Sequence, residues 1–242
     1  RFAREAQILA RLAHPNVVAI VDVDISADGM LFMVMELVRG TPLNRCRARF
    51  ADRSFVLEVL KQIAAGLSTI HQHNIVHRDL KPANVLIAET DGRPQVKLVD
   101  FGVSTLSRQS SDVLPKASPL PRLNEESSGD SRGSLTAAGI LVGTPLYLAP
   151  ELSEGSHLAR PPSDIFSFGV IAYELFADTL PFSEPPVVTR YRGMALHVPP
   201  FQFLHHELPA PAVAVLERCL AEDPALRPTA EEILAVLAAL SS

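Results

Sequence analysis

Cysteine is scarce in this chain of 242 residues: Cys46 and Cys219 stand far apart, and neither belongs to a CxxC or Cys/His cluster. That spacing argues against a disulfide framework and against a structural zinc, and makes a reducing cytoplasm the expected compartment. An excess of positive charge is also missing. With 22 basic and 27 acidic residues the net charge is −5, so no basic field points to nucleic acid or an anionic membrane as the main partner. Long hydrophobic runs are lacking too, since the most apolar window, "FSFGVIAYELF", carries Glu174 and falls short of the roughly 20 apolar residues that a spanning helix needs. There is no signal-peptide pattern, no internal repeat and no HxH or HExxH arrangement for zinc. The first residue is Arg1 rather than Met, so the sequence is expected to begin inside a longer reading frame or to have been processed. What remains is a chain that is 47% hydrophobic, enough for one sizeable domain or for two lobes sharing a cleft.

Apolar residues Phe2, Ala6, Leu9 and Leu12 recur at three- and four-residue steps and stop at "HPN", which predicts a helix ending near Ala13. "VVAIVDVDI" and "MLFMVMELV", separated by "SADG", predict an antiparallel hairpin. Ser54 is expected to cap a long amphipathic helix running to about His73. "NVLIA" and "VKLVDF" flank the turn "TDGRP" as two short strands. Between Ser107 and Gly139 the chain holds eight serines and three prolines with few large apolar residues, the composition of a mobile loop. Helical patterns then return: a buried helix in "SDIFSFGVIAYELFAD" and, after a Pro-rich connection, amphipathic helices in "APAVAVLERCL" and "TAEEILAVLAAL".

The polar residues that stand out are concentrated in "HNIVHRDLKPANVLI" and in "VDFG". Asp79 and Asn84 lie five positions apart across a Pro-containing turn, and Asp100 follows after a hairpin. Two carboxylates and an amide converging on one cleft can orient a hydroxyl and hold Mg²⁺ against phosphate oxygens, with Lys81 adding a point charge. Phosphoryl transfer uses that inventory. His14, His71, His73 and His77 are expected to be turn, cap or core histidines.

Taken in order, these motifs make the chain resemble the eukaryotic-type (Hanks-type) serine/threonine protein kinases, in their bacterial style. "HRDLKPAN" is similar to the family's catalytic loop, "DFG" to its metal-binding turn, "GTPLYLAPE" to the end of its activation segment, and "SDIFSFG" and "CLAEDPALRP" to two structural motifs. The resemblance implies an α+β, two-lobed fold with a mostly helical C-lobe over 39–242, and at 1–38 only the rear part of the N-lobe: a helix, two strands and the hinge. It implies that Asp79 orients the substrate hydroxyl, Lys81 steadies the transferring phosphate, and Asn84 and Asp100 hold the metal ions. ATP and Mg²⁺ are the implied cofactors, Mn²⁺ being an acceptable substitute, and the partner is a protein with Ser or Thr acceptors. Met35 would be the gatekeeper, the backbone of Glu36 to Val38 the hinge, and Leu86 the floor under the purine. Lys81 together with Thr144 matches the Ser/Thr class. Arg78 implies control by autophosphorylation of the activation segment, with Thr136 the favoured site. His77, Phe101 and Asp164 carry over as structural residues, and Arg227 as the partner of Glu151.

One part of the pattern is missing. Glu5 matches the glutamate that pairs with a strand lysine, but that lysine and the glycine-rich loop belong upstream, where only four residues stand. Glu151 also lies 51 positions after Asp100, a separation that reflects the Ser-rich insertion. The expectation is a protein serine/threonine kinase; a pseudokinase scaffold, a small-molecule kinase and an inactive truncated fragment are the alternatives.

Overall fold

The computed structural model describes residues 12–26, 31–101, 145–201, 203 and 207–241. The helix expected before Ala13, Glu5, the Ser-rich stretch, Thr136 and Thr144 lie outside the described residues, as does most of the "SADG" turn.

Strands β1 (Ile20–Ile25) and β2 (Leu31–Met35) pair antiparallel, Ile20 opposite Met35 and Asp24 opposite Phe32, with a register slip between Ile20 and Asp22. The hairpin joins the rest of the fold through Asn16–Val18. Val18 N donates to Leu98 O at 3.0 Å and Leu98 N to Asn16 O at 2.9 Å. Buried Asn16 supports the junction by donating from Nδ2 to Gln62 Oε1 and Val96 O. Much of the hairpin's apolar surface stays open, Val21 being 67% exposed and Ile25, Phe32 and Val34 also exposed.

A second sheet has the order β3 (Thr41–Pro42), β4 (Val85–Thr90), β5 (Arg93–Leu98), all antiparallel. The β4–β5 turn is Asp91-Gly92, both residues at positive φ (51° and 73°), the backbone that a two-residue hairpin requires and that Asp-Gly tolerates. Val85, Ile87, Val96 and Leu98 face the core.

Helix α1 (Arg53–Gln72) packs on β5 and buries Phe55, Val56, Val59, Leu60, Ile63, Leu67 and Ile70. Its cap is Asp52 rather than Ser54: Asp52 Oδ1 accepts from Ser54 N (2.9 Å) and Phe55 N (3.2 Å). A carboxylate one residue ahead of the first turn satisfies two orphan amides and suits the helix dipole, which leaves Ser54 as an ordinary first-turn residue. Helix α2 (Pro161–Ala177) is buried from Ser163 to Phe176 and packs against α1 and α4. The Pro-rich connection conceals a short helix, α3 (Pro186–Tyr191). Helices α4 (Ala210–Cys219) and α5 (Ala230–Ala238) complete the layer, α5 starting in a Thr229–Glu232 capping box and lying on α1. Among the described residues no helix is long and apolar enough to cross a membrane.

Candidate active site

The polar turn between α1 and β4 is organised by a buried carboxylate on α2. Asp164 Oδ2 accepts from His77 N at 2.8 Å and meets His71 Nε2 at 2.8 Å, while Oδ1 accepts from Arg78 N at 2.9 Å. Burial of Asp164 opposes its ionisation, but the hydrogen bond and charge of His71, with His77 behind it, hold the carboxyl below its ordinary value. Arg78 sits at φ 67°, a conformation that costs a non-glycine residue about 1–3 kcal/mol and persists only where its surroundings enforce it. Two amides bonded to one buried carboxylate supply that enforcement.

Asp79 follows, and its carboxylate is clamped. Lys81 Nζ donates to Oδ1 at 2.9 Å and to Oδ2 at 2.7 Å, and Asn84 Nδ2 donates to Oδ2 at 2.9 Å and to Asp79 O at 2.8 Å. Asn84 lies on the 3₁₀ turn Pro82–Asn84, and its O accepts from Val99 N at 3.0 Å. That bond brings the end of β5, and Asp100 just beyond it, to the same place. Asp100 is exposed at φ 55°. Its carboxylate and Asn84 Oδ1 make no hydrogen bond among the described residues, so two hard oxygen donors of the type preferred by Mg²⁺ remain open.

His77 is fully buried and packs on Phe101, ring centroids 4.8 Å apart. Neither ring nitrogen has a hydrogen-bond partner among the described residues. Burial lowers its pKa from 6.5, against the pull of the Asp164 and Asp79 carboxylates. The unfolded chain therefore binds a proton that the folded one refuses. This group's effect is nil above about 6.5, and stability falls with pH below it, at up to about 1.4 kcal/mol per pH unit. His77→Phe keeps the ring packing and is expected to flatten that slope. Denaturant midpoints at pH 7.5 and 5.5 test it, and an unchanged slope in the variant would assign the effect to another group.

Beyond the turn, Glu151 and Arg227 form a two-pronged pair, both contacts 2.8 Å, and Ser163 Oγ donates to Glu151 Oε1. Burial works against the Glu151 charge, but the hydrogen bonds and charge of Arg227 keep its carboxyl below the ordinary value. Sequence reasoning missed a second cluster. Tyr147 OH donates to Glu174 Oε2 at 2.7 Å, Arg47 reaches Glu174 Oε1, and Ser167 Oγ donates to Tyr147 O. Burial, and then the Glu174 carboxylate, raise the Tyr147 pKa. The available signal was Glu174 itself, because a carboxylate inside an apolar helix needs a partner.

At the far side of the cleft, Met35 ends β2, and Glu36 N donates to Ala19 O. The Glu36 side chain turns back to accept from Ala19 N and Lys97 Nζ. Lys97, followed by the Ala19 amide, lowers its pKa. Val38 is half-buried, as is Leu86, which lies on β4 opposite Pro42. Glu36 O and Val38 N form no backbone hydrogen bond among the described residues.

A His-Arg-Asp turn hung from a buried helix, beside an Asp-Phe turn at a strand end, defines the class: a protein kinase domain. The chain belongs to the protein kinase family, whose protein kinase domain matches residues 1–236. It is 32% identical to the serine/threonine-protein kinase pkn3 of Myxococcus xanthus, over 96% of this chain and 40% of that protein. It is 35% identical to PkaA of Streptomyces coelicolor, over 96% and 38%, and 32% identical to PknA of Mycobacterium tuberculosis, over 98% and 51%. The chain thus spans 38–51% of the length of these relatives. The solved PknI kinase domain of Mycobacterium tuberculosis matches with a TM-score of 0.61 at 25% identity, over 99% of this chain and 77% of that one. The kinase fold and the bacterial serine/threonine class expected from the motifs therefore hold, and the family uses ATP and a divalent metal.

Proposed function

We propose that this chain transfers the γ-phosphate of ATP to Ser and Thr hydroxyls of proteins, in the cytoplasm and with Mg²⁺ as the metal. The observation that carries this reading is the clamped Asp79 carboxylate next to two open oxygen donors, Asn84 Oδ1 and Asp100. Asp79 orients the acceptor hydroxyl and takes its proton. Lys81, within reach of the same space, steadies the charge on the phosphoryl group in transit. Asn84 and Asp100 hold the metal, which when bound neutralises the phosphate oxygens. Glu36 O and Val38 N offer the adenine a main-chain edge, with Met35 behind it and Leu86 beneath. On that reading the hinge divides the N-lobe part at 1–38 from a C-lobe at 39–242. Glu5 would brace the nucleotide side, and Thr144 the acceptor side. Phosphorylation at Thr136 would switch the enzyme on through Arg78.

In the full-length protein, Asp100→Ala is expected to weaken Mg·ATP binding by at least about 10- to 100-fold, the range for losing even an outer-shell partner of a metal ligand, and metal-free ATP binding much less. Calorimetry with and without Mg²⁺, alongside radiolabelled phosphate transfer to a Ser/Thr-containing protein, is the test. Equal Mg·ATP affinity in variant and parent would remove Asp100 from the metal site.

A further inference from the structure

Between Leu37 and Ala51 the chain carries Arg39, Arg45, Arg47 and Arg49 and no Asp or Glu, although its net charge is −5. Two of these arginines have partners. Arg47 bonds Glu174 and Asp178, and Arg49 bonds Glu89 and lies over the Phe55 ring, 4.1 Å from its centroid. Arg39 and Arg45 are exposed and form no ion pair among the described residues.

Their backbone is fixed beside the site. Gly40 lies so close to β4 that a Cβ there would meet Ile87 O at 3.0 Å. Thr41 and Pro42 pair with Ile87 and Leu86. Leu43 is fully buried, and the 3₁₀ turn Leu43–Arg45 packs against the turn Pro82–Asn84 that clamps Asp79. The backbone that carries these two guanidinium groups, unpaired among the described residues, is thus fixed next to the turn that holds Asp79. A guanidinium fork matches the geometry of carboxylate and phosphate oxygens.

We propose that Arg39 and Arg45 form a basic subsite selecting protein substrates with an anionic side chain, carboxylate or phosphate, a few residues from the acceptor hydroxyl. The inference rests on the phosphotransfer reading above and names the substrate class of that same site.

The test uses one acceptor peptide in four versions, flanked by Glu, phosphoserine, Gln or Lys. Binding to the full-length protein is measured by fluorescence anisotropy, and initial rates in parallel. The Glu and phosphoserine peptides are expected to bind about fivefold or more tightly than the Gln peptide at low salt, and to lose that advantage as salt screens the contact. Arg39→Gln/Arg45→Gln should erase the preference, and Arg39→Glu/Arg45→Glu should invert it toward Lys, mainly in KM rather than kcat. A phosphoserine advantage over Glu would identify phosphate as the ligand; equality would identify carboxylate as sufficient. An order of peptides that is the same in parent and both variants overturns the subsite. Because binding is read without turnover, selective binding with no phosphate transfer would sink the catalytic reading and leave the subsite standing. Transfer without selectivity would do the reverse.

Discussion

Arg227→Met is expected to destabilise the fold by about 3–5 kcal/mol, the cost of removing one member of a buried ion pair. The side chain is 0% exposed, and every donor it has is in use. Nε bonds Ala221 O at 2.9 Å, one terminal nitrogen bonds Glu151 Oε1 and Pro162 O, and the other bonds Glu151 Oε2 and Glu222 O. The guanidinium also lies 5.0 Å from the centroid of the Phe166 ring. Methionine fills most of the volume, yet it strands one carboxylate and three carbonyls. Arg227→Met/Glu151→Leu should recover part of the loss, because the stranded charge goes while the carbonyls remain unpaired. A pH signature separates the pair from packing. The folded pKa of Glu151 lies below its ordinary 4.5, so its contribution is full above that value and is lost as pH falls through the folded one. In Arg227→Met that acid loss should be largely gone. Urea midpoints at pH 7 and pH 4 are the measurement, and a change below about 1 kcal/mol at pH 7 would mean that the pair contributes no more than a surface bridge.

The parts of the site that could be seen in the sequence are those whose chemistry requires neighbours in the chain. Asp79, Lys81 and Asn84 fall within six residues, and the structure closes them into one hydrogen-bonded unit. The Asp91-Gly92 turn was equally plain, since its left-handed backbone restricts the residues allowed there. What escaped depends on contacts far apart in sequence or on local competition. Tyr147, Arg47 and Glu174 meet across separations of 27 and 127 residues, and no periodicity records such a meeting. The Glu36–Lys97 pair spans 61. Asp52 displaced Ser54 as the cap of α1 because both residue types cap well and the choice turns on where the first helical amide falls. Helix α3 was hidden because its six residues follow prolines that read as a connection. The core of α2 was legible as buried, but Asp164 within it took its role from the family resemblance; its three contacts with the His71–Arg78 segment explain physically why a carboxylate belongs there.

Asp79→Asn is expected to cut phosphate transfer by about 10²- to 10⁴-fold in the full-length protein, the range for losing a general base, while Mg·ATP binding stays nearly unchanged. The Asp79 side chain is 39% exposed, so an acceptor hydroxyl can reach it, whereas Lys81 at 18% is largely covered. Asparagine preserves the shape but removes the charge that takes the proton. It also creates a local conflict. Lys81 Nζ bonds both Asp79 oxygens and Asn84 Nδ2 bonds one of them, so an amide NH₂ at residue 79 must face at least one existing donor. Lys81 is then pushed from its place, and the loss should include part of what Lys81 contributes. For that reason Asp79→Asn and Lys81→Met are expected to be far from additive, the double variant being little worse than Asp79→Asn alone. The fold should hardly respond, because the turn hangs from Asp164 through backbone amides that the substitution leaves in place. Radiolabelled phosphate transfer, calorimetric Mg·ATP affinity and the thermal midpoint, measured on parent, both single variants and the double variant, decide it. Turnover within about tenfold of the parent would mean that Asp79 neither orients nor deprotonates the acceptor, since even the weakest general-base contribution exceeds that. The clamped carboxylate would then be a structural feature of the turn, and the phosphotransfer reading would have to rest on other groups.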